Sequence, residues 1–460
     1  MSISESQYEA WLNRSNSERV VLVELHHSNG VEYIANRPYI SHPTDTLANQ
    51  PFNDVLKDVA DVTTRIDGQV ELGDIELIDD GSLSGWVDRK WRGHEVVLRL
   101  GDASWSYDDF RIIARQINGG LSSYRRGQIV FDVYDQTALL DTPIQRPVLS
   151  ETDDRPQPLI LGQVIGAQAT QISTQTLLYQ FSWLPVTSLT VRDGNGPVMS
   201  HTPDLANGQF TLSAYTPRNV ICEVTEPHTT AISIIQWVAD HYNMTLANGI
   251  SLPGYSLGLR YDGEVTGRQI LDDVCRSLGA KWQIDLIGEL TVQLLTVPDQ
   301  GQPADVQIYA DDIELDGIEL INTDEPFTLL AVNYARNYSP MSEVAGSIND
   351  SDPALAKRLR TEWEVAKSEQ SLPSYPLAID QEIDTNLVNQ ADAEAERDRR
   401  LGIRNQRRDT WSLSAFITST KAVVGASVEV HHPYVTGRIG RIISTRMSPI
   451  SDRIELEVWY

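Results

Sequence analysis

Residues 266–297 read TGRQILDDVCRSLGAKWQIDLIGELTVQLLTV, and this stretch decides the fold class. Thr266 and Gln269 stand at the spacing with which two side chains satisfy free backbone N–H groups at a helix start. Ile270, Leu271, Val274, Cys275 and Leu278 then fall on one helical face. Gly279 is placed to end the helix in the left-handed conformation. Beyond it Trp282, Ile284 and Leu286 alternate with polar residues, Ile287-Gly288 can turn, and Leu290, Val292 and Leu294 alternate again. The spacing predicts a short helix followed by a tight hairpin, an α/β module whose sheet buries one face.

Working outward, most of the chain carries strand patterns. Residues 1–147 read as mostly β with one short helix. Segments 18–25 and 31–35 alternate around Asn29-Gly30, a strong hairpin turn. Segments 54–66 and 69–77 are two further candidate strands, and EVVLRL (95–100) and QIVFDVY (128–134) are apolar ones. Four prolines (143, 147, 156 and 158) and the acids Glu151, Asp153 and Asp154 mark 143–158 as a linker. Strand patterns resume over 148–226, with a hairpin at Gly194-Asn195. Residues 229–242 form an amphipathic helix with Ile232, Ile235, Val238 and Tyr242 on one face. The span 227–300 is thus the α/β module. In 301–460, residues 306–320 are acidic and β-like, 352–367 look helical with Pro353 in the first turn, 389–408 form a charged helix, and 410–460 return to strands. The fold class expected is α+β, predominantly β and multi-domain.

The 460 residues suffice for several domains. Hydrophobic residues at 41% and charged residues at 22% describe a soluble globular chain. No run approaches the roughly 18 apolar residues that span a bilayer. The chain opens without a basic, apolar leader, so assembly in a host cytoplasm is expected. Cys222 and Cys275 are too few for a disulfide framework or metal cluster and read as buried thiols. A net charge of −27 argues against general nucleic-acid binding, which needs clustered Lys and Arg.

Common catalytic signatures fail on inspection. In Gly81-Ser82-Leu83-Ser84-Gly85 the position of an elbow nucleophile is Leu83. His94-Glu95 lacks a second His, since position 98 is Leu98, and no Gly-Lys pair exists for a phosphate-binding loop. Gly194-Asn195-Gly196 is followed by Met199 where a dinucleotide loop needs a third Gly, so it reads as a turn. The His26-His27 and His431-His432 pairs lie on strand patterns, where neighbours face opposite ways and do not chelate. Asp311, Asp312, Glu314, Asp316, Glu319, Asp324 and Glu325 lack the spacing of a calcium loop and read as a solvated loop or subunit-contact face. No catalytic, cofactor or metal residue is expected. The Arg-rich helix, with Arg397, Arg399, Arg400, Arg404, Arg407 and Arg408 and interleaved acids Asp392, Glu394, Glu396 and Asp398, reads as a solvated helix with i,i+4 pairs, as a subunit interface (through Arg397, Arg400, Arg404, Arg407 and Arg408) or as a DNA-contacting helix. Trp86, Trp91 and Trp105 lie near turns, where they are core residues or interface anchors.

Several segments resemble the central hub proteins of bacteriophage tail tips and baseplates, also found in phage-like gene-transfer particles. The resemblance rests on ILDDVCRSLGA with its following Trp strand and GEL turn, and on FTLLAVNYARNY (327–338) with Tyr334-Ala335-Arg336-Asn337. It extends to 391–460, with VVGASVEVHHP and a final Leu456-Glu457-Val458-Trp459 strand. It also covers GDIELIDDGSLSGWVDRKWRGHEVVLRLGD, Leu139-Leu140-Asp141-Thr142-Pro143 and PLILGQV near the N-terminal boundary. The positions that match are Trp86, Gly93, Ile270, Leu271, Trp282, Gly288, Tyr334, Asn337 and Trp459. The resemblance implies two tail-tube-like β-barrel or sandwich domains, 1–147 and the C-terminal β region within 301–460, with smaller α/β modules between. It implies a homotrimeric ring that closes the tail tube, holds the tape measure protein and carries fibre or tip proteins. Genomic DNA would pass its lumen without sequence-specific binding, and the location would be the virion tail. Iron–sulfur cysteines and the long extensions of some hubs are missing, so receptor contact would fall to other proteins. A wall- or polysaccharide-degrading tail enzyme and a receptor-binding fibre are the alternatives. The first lacks a catalytic constellation, the second repeats.

Overall fold

Asn29-Gly30 turns the chain between strands Arg19–His27 and Gly30–Ala35, and His27 pairs with Gly30 across the turn. The structure, a computed structural model, describes residues 3–14, 17–66, 72–125, 127–151, 153–285, 287–435 and 437–460. This hairpin is one edge of a seven-stranded sheet, completed in order by Glu95–Asp102, Arg111–Arg125, Gln128–Asp135, Leu72–Ile78 and Leu56–Val59. Val20 to Val23 are buried on both faces of the sheet, as a continuous apolar run requires. Val21 and Val23 enter the main core, while Val20 and Leu22 face a small aromatic layer of Tyr39, Phe52, Tyr107 and Phe110.

A second seven-stranded sheet holds Val306–Tyr309, Ser427–His431, Ile439–Met447, Arg453–Trp459, Arg408–Phe416 and Ile313–Asp324 in that order. Its seventh strand is Val62–Arg65, from the other end of the chain, antiparallel to Ile439–Met447. The two sheets share one hydrophobic core: Ile75, Leu98 and Phe131 from the first meet Val428, Ile442 and Leu456 from the second. Helix α1 (Glu5–Leu12), opened by a capping box of Ser4 and Gln7, lies on the junction. Trp11 donates its indole N–H to Asp102 (2.8 Å), and Asn13 donates to the Thr418 carbonyl (3.1 Å).

Between the sheets in sequence lies a second core. Helices α2 (Ala231–His241) and α3 (Gly267–Leu278) pack on strands Leu159–Gln168 and Phe327–Tyr334 and on the hairpin Ala280–Ile284/Glu289–Leu294. The Thr266–Gln269 capping box forms, and Gly279 ends α3 with φ +56°. Gly288 makes the hairpin turn, also left-handed; Leu286, expected in this strand, lies outside the described residues. Helices α4 (Gly346–Ser351), α5 (Pro353–Arg360) and α6 (Gln390–Ile403) follow. The chain is α+β and predominantly β.

Several expected boundaries move. Segment 54–66 is two strands in two sheets: Leu56, Val59 and Val62 are buried at a spacing of three, which no single flat strand supports. Residues 69–71 of the next expected strand lie outside the described residues. The linker 143–158 carries a small hairpin, Val148–Ser150 with Asp153–Pro156. In α2 the buried face is Ala231, Ile234, Ile235, Val238 and Ala239, and Ile232 is 40% exposed. The segment read as one helix over 352–367 ends at Arg360, where Thr361 is extended, and Glu364–Glu369 is a strand on Phe327–Tyr334. The charged helix stops at Ile403, so Arg408 opens a strand. The acidic β-like segment is strand Ile313–Asp324, one edge of the second sheet, so those acids that read as a solvated loop or contact face lie largely on a strand. Trp86 and Trp91 are core residues, their ring centroids 5.2 Å apart, with Phe131 5.0 Å from Trp91; Trp105 stacks between Tyr8 and Trp11.

Replacing Trp91 by Ala empties the middle of this aromatic stack. Large-to-small changes at such sites cost ~3–5 kcal/mol, and urea unfolding of Trp91→Ala is expected to show a loss of that order. Unchanged stability would mean the ring is not a core support.

Candidate assembly interface

Glu396 is the most consequential charged residue of α6, because its side chain has no exposed surface. A carboxylate in that position needs cationic partners. They come from about one turn further along the same helix. Arg399 donates through Nη2 and Nε to its two oxygens (2.7 and 2.9 Å), and Arg400 donates through Nε (2.5 Å). The guanidiniums then reach out of α6 to the end of α3. Arg399 donates to the Leu278 carbonyl (2.8 Å) and the Leu295 carbonyl (2.9 Å), and Arg400 to the Arg276 carbonyl (2.6 Å). Those α3 carbonyls are last-turn acceptors, where a helix end favours positive charge. Burial lowers the Arg400 pKa, and Glu396 works against that shift. Gly279 sits beneath the network: a Cβ there would stand 2.3 Å from Arg399 Nη2 and 2.8 Å from Glu396 Oε1.

The five arginines expected at a subunit interface are spread over different environments. Arg397 donates to Asp398 (2.8 Å) and to the Lys367 carbonyl (3.3 Å). Arg400 belongs to the Glu396 network. Arg404 donates to the Glu325 carbonyl (2.6 Å), pairs with Asp324 and covers the Phe327 ring at 4.5 Å. Arg408 is buried over Trp459, and burial lowers its pKa. Arg407 is exposed and pairs with Asp409 (2.8 Å). The pairs expected along this helix form at i,i+3 to Arg399 and i,i+4 to Arg400, but around a buried Glu396 rather than a solvated one.

The other singled-out positions hold the scaffold. Trp86, Ile270, Leu271, Trp282, Tyr334 and Trp459 are buried. Trp282 donates its indole N–H to Asp272 (2.7 Å). Gly93 and Gly288 are left-handed turns. Asn337 is buried, donates to the Leu359 carbonyl (3.1 Å) and accepts from the Ser339 N–H (3.1 Å). A Cβ on left-handed Gly166 would stand 1.9 Å from its Oδ1, so these two segments meet only with Gly there. Cys222 and Cys275 are buried and unpaired, and burial pushes both thiols up, away from nucleophilic chemistry. Among the described residues no three His, Cys, Asp or Glu side chains converge to hold a metal ion.

Two surface features flank the network. Between α3, α6 and the end of strand Ile313–Asp324 lies a cavity of about 490 Å³ with Trp282, Phe327 and Trp459 in its walls and Lys281, Arg276 and Arg404 around them. At the far end of the same strand Leu315 is 95% exposed. The register slips between Ile313 and Ile318, and Asp316 has φ +60°, so residues 314–317 bulge out of the ladder.

No family model matches the sequence, and no curated protein matches it. Solved structures do. The 43 kDa tail protein of prophage MuSo2 from Shewanella oneidensis aligns with TM-score 0.46 and 10% identity over 95% of this chain and 98% of its own. A tail protein from Neisseria meningitidis MC58 aligns with TM-score 0.48 and 10% identity over 96% of each chain. A chain of the virion of a native gene transfer agent particle aligns with TM-score 0.45 and 13% identity over 69% of this chain and 87% of its own.

The Glu396 network gives two coupled expectations. Glu396→Gln leaves two guanidiniums short of their counter-charge and is expected to cost on the order of 3 kcal/mol. Gly279→Ala adds a left-handed penalty of ~1–2 kcal/mol and displaces the same guanidiniums. Because both lesions strike one network, the double variant in urea unfolding is expected to lose less than the sum of the singles. Strict additivity would show that Gly279 and Glu396 act independently.

Proposed function

We propose that this protein is a structural component of a phage-type tail, the central hub of its tip or baseplate. The observation that carries the reading is the pairing of two seven-stranded sheets in one chain, joined through one core by the exchanged strand Val62–Arg65. Each chain then presents two tube-like units, and three chains present six. Closed threefold symmetry matches a hexameric tube in that way. The segment resemblances to tail hubs point to the same arrangement, and the exposed sheet edges and Arg-bearing α6 are the surfaces such a ring would use.

In this reading the ring closes the tail tube, meets a tail tube or distal tail protein on one side, and anchors the tape measure and fibre or tip proteins. It opens for DNA ejection into the host. The net charge of −27 fits a conduit that does not hold phosphates. The hub does no covalent chemistry: its side chains bind neighbours and set the ring.

The test is the mass of the purified chain by multi-angle light scattering, with negative-stain microscopy of the same sample. The expected result is a particle of three 51.4 kDa chains with a central channel. A monomer that cleaves peptidoglycan or capsule would replace the hub by a tail-associated hydrolase.

A further inference from the structure

The Leu315 bulge is an apolar knob, and the cavity beside α6 is a hollow with apolar side chains in its walls. The bulge presents a leucine with almost its whole surface in water, next to the exposed Asp316. An isolated apolar tip held out on a sheet edge loses free energy unless something covers it. The cavity offers the reverse. Its walls are aromatic, and its described lining carries five cationic side chains against two acidic ones in a chain whose net charge is −27. Four of these cations are committed, Arg399 and Arg400 to Glu396, Arg404 to Asp324 and Arg276 to Asp273. Arg404 Nε is buried and finds no acceptor among the described residues. Lys281 is exposed at the rim with no carboxylate partner among the described residues.

The bulge cannot fill the cavity of its own chain. Ile318, which follows the bulge, and Asp324, which lines the cavity, pair with Leu413 and Arg408, so the bulge stands at least five ladder positions from Asp324, or about 17 Å at ~3.4 Å per residue. Any contact between the two is therefore made between copies. A knob at one end of an edge strand and a socket at the other make a head-to-tail contact, which generates a closed ring when the rotation closes.

We infer that Leu315 of one copy inserts into the α3/α6 cavity of a second copy, with Asp316 facing Lys281. The inference rests on the ring reading given above and assigns the contact that holds the ring. Leu315 meets Phe327, Ile383 and Ile403 in the cavity wall, and Asp316 meets Lys281. Salt is expected to weaken the contact through its charged half only.

The test measures association by light scattering over a concentration series for the wild type, Leu315→Asp, Lys281→Glu, Asp316→Lys and the double variant Lys281→Glu/Asp316→Lys. All three positions are exposed, and circular dichroism checks that each variant keeps its fold. Each single change is expected to weaken trimer formation at least tenfold, and the double variant, which exchanges the charges, to recover most of it. A wild-type trimer that all these changes leave intact overturns the contact, assigns the cavity to another occupant and leaves the ring standing. Singles that weaken the trimer without recovery in the double overturn the Asp316–Lys281 pairing. A wild type that stays monomeric throughout overturns both the contact and the ring.

Discussion

The arrangement of the middle of this molecule depends on one buried carboxylate. Glu396 has no contact with water, so its charge has to be answered by protein, and the two arginines that answer it are long enough to reach another helix. Having neutralised Glu396, Arg399 and Arg400 still carry unspent N–H donors. These end on the last carbonyls of α3 and on Leu295. One charge thereby fixes the relative position of α6, α3 and the end of the hairpin's second strand. The aromatic cavity exists because those elements are held at that distance. Gly279 is the steric condition for the arrangement, since any side chain there would occupy the space of the guanidiniums.

The two large sheets are held by a different kind of bond. Val62–Arg65 leaves the N-terminal sheet and completes the C-terminal one, where Ile66 donates to the Ile443 carbonyl (3.0 Å) and Arg446 to Asp61 (2.8 Å). Backbone pairing of this sort resists shear better than packing of side chains alone, because each ladder bond has a fixed direction. The shared core then seals the seam with apolar area, and α1 covers it from the side.

Local chemistry made part of this legible in the sequence. The α3 capping box, the Gly279 terminus, the Gly288 turn and the Asn29-Gly30 hairpin all follow from neighbours within four positions, and all stand in the structure. What escaped reading depends on partners far along the chain. Ile232 is as apolar as Ile235, and only the packing of α2 on α3 decides which one is covered. Residues 364–367 continue a helical composition yet pair as a strand, because Phe327–Tyr334 offers an open edge. The acidic run was β-like in its pattern, but its place at a sheet edge follows only from Arg408–Phe416, which supplies its hydrogen bonds. The arginines of α6 were visible as a group, but their separate destinations were not, because those destinations are carbonyls, and carbonyls have no letter in the sequence.

The exchanged strand also sets the order of events at the ribosome. Asp61 and Arg446 are separated by 385 positions, and at ~5–20 residues per second the partner emerges about 20–80 s later. For that interval the strand that will become part of the last sheet has no ladder, and the core facing it is open. In that interval the unpaired strand and the face it leaves open are accessible to chaperones and to neighbouring nascent chains. Truncated products of this gene would carry that unfinished edge permanently.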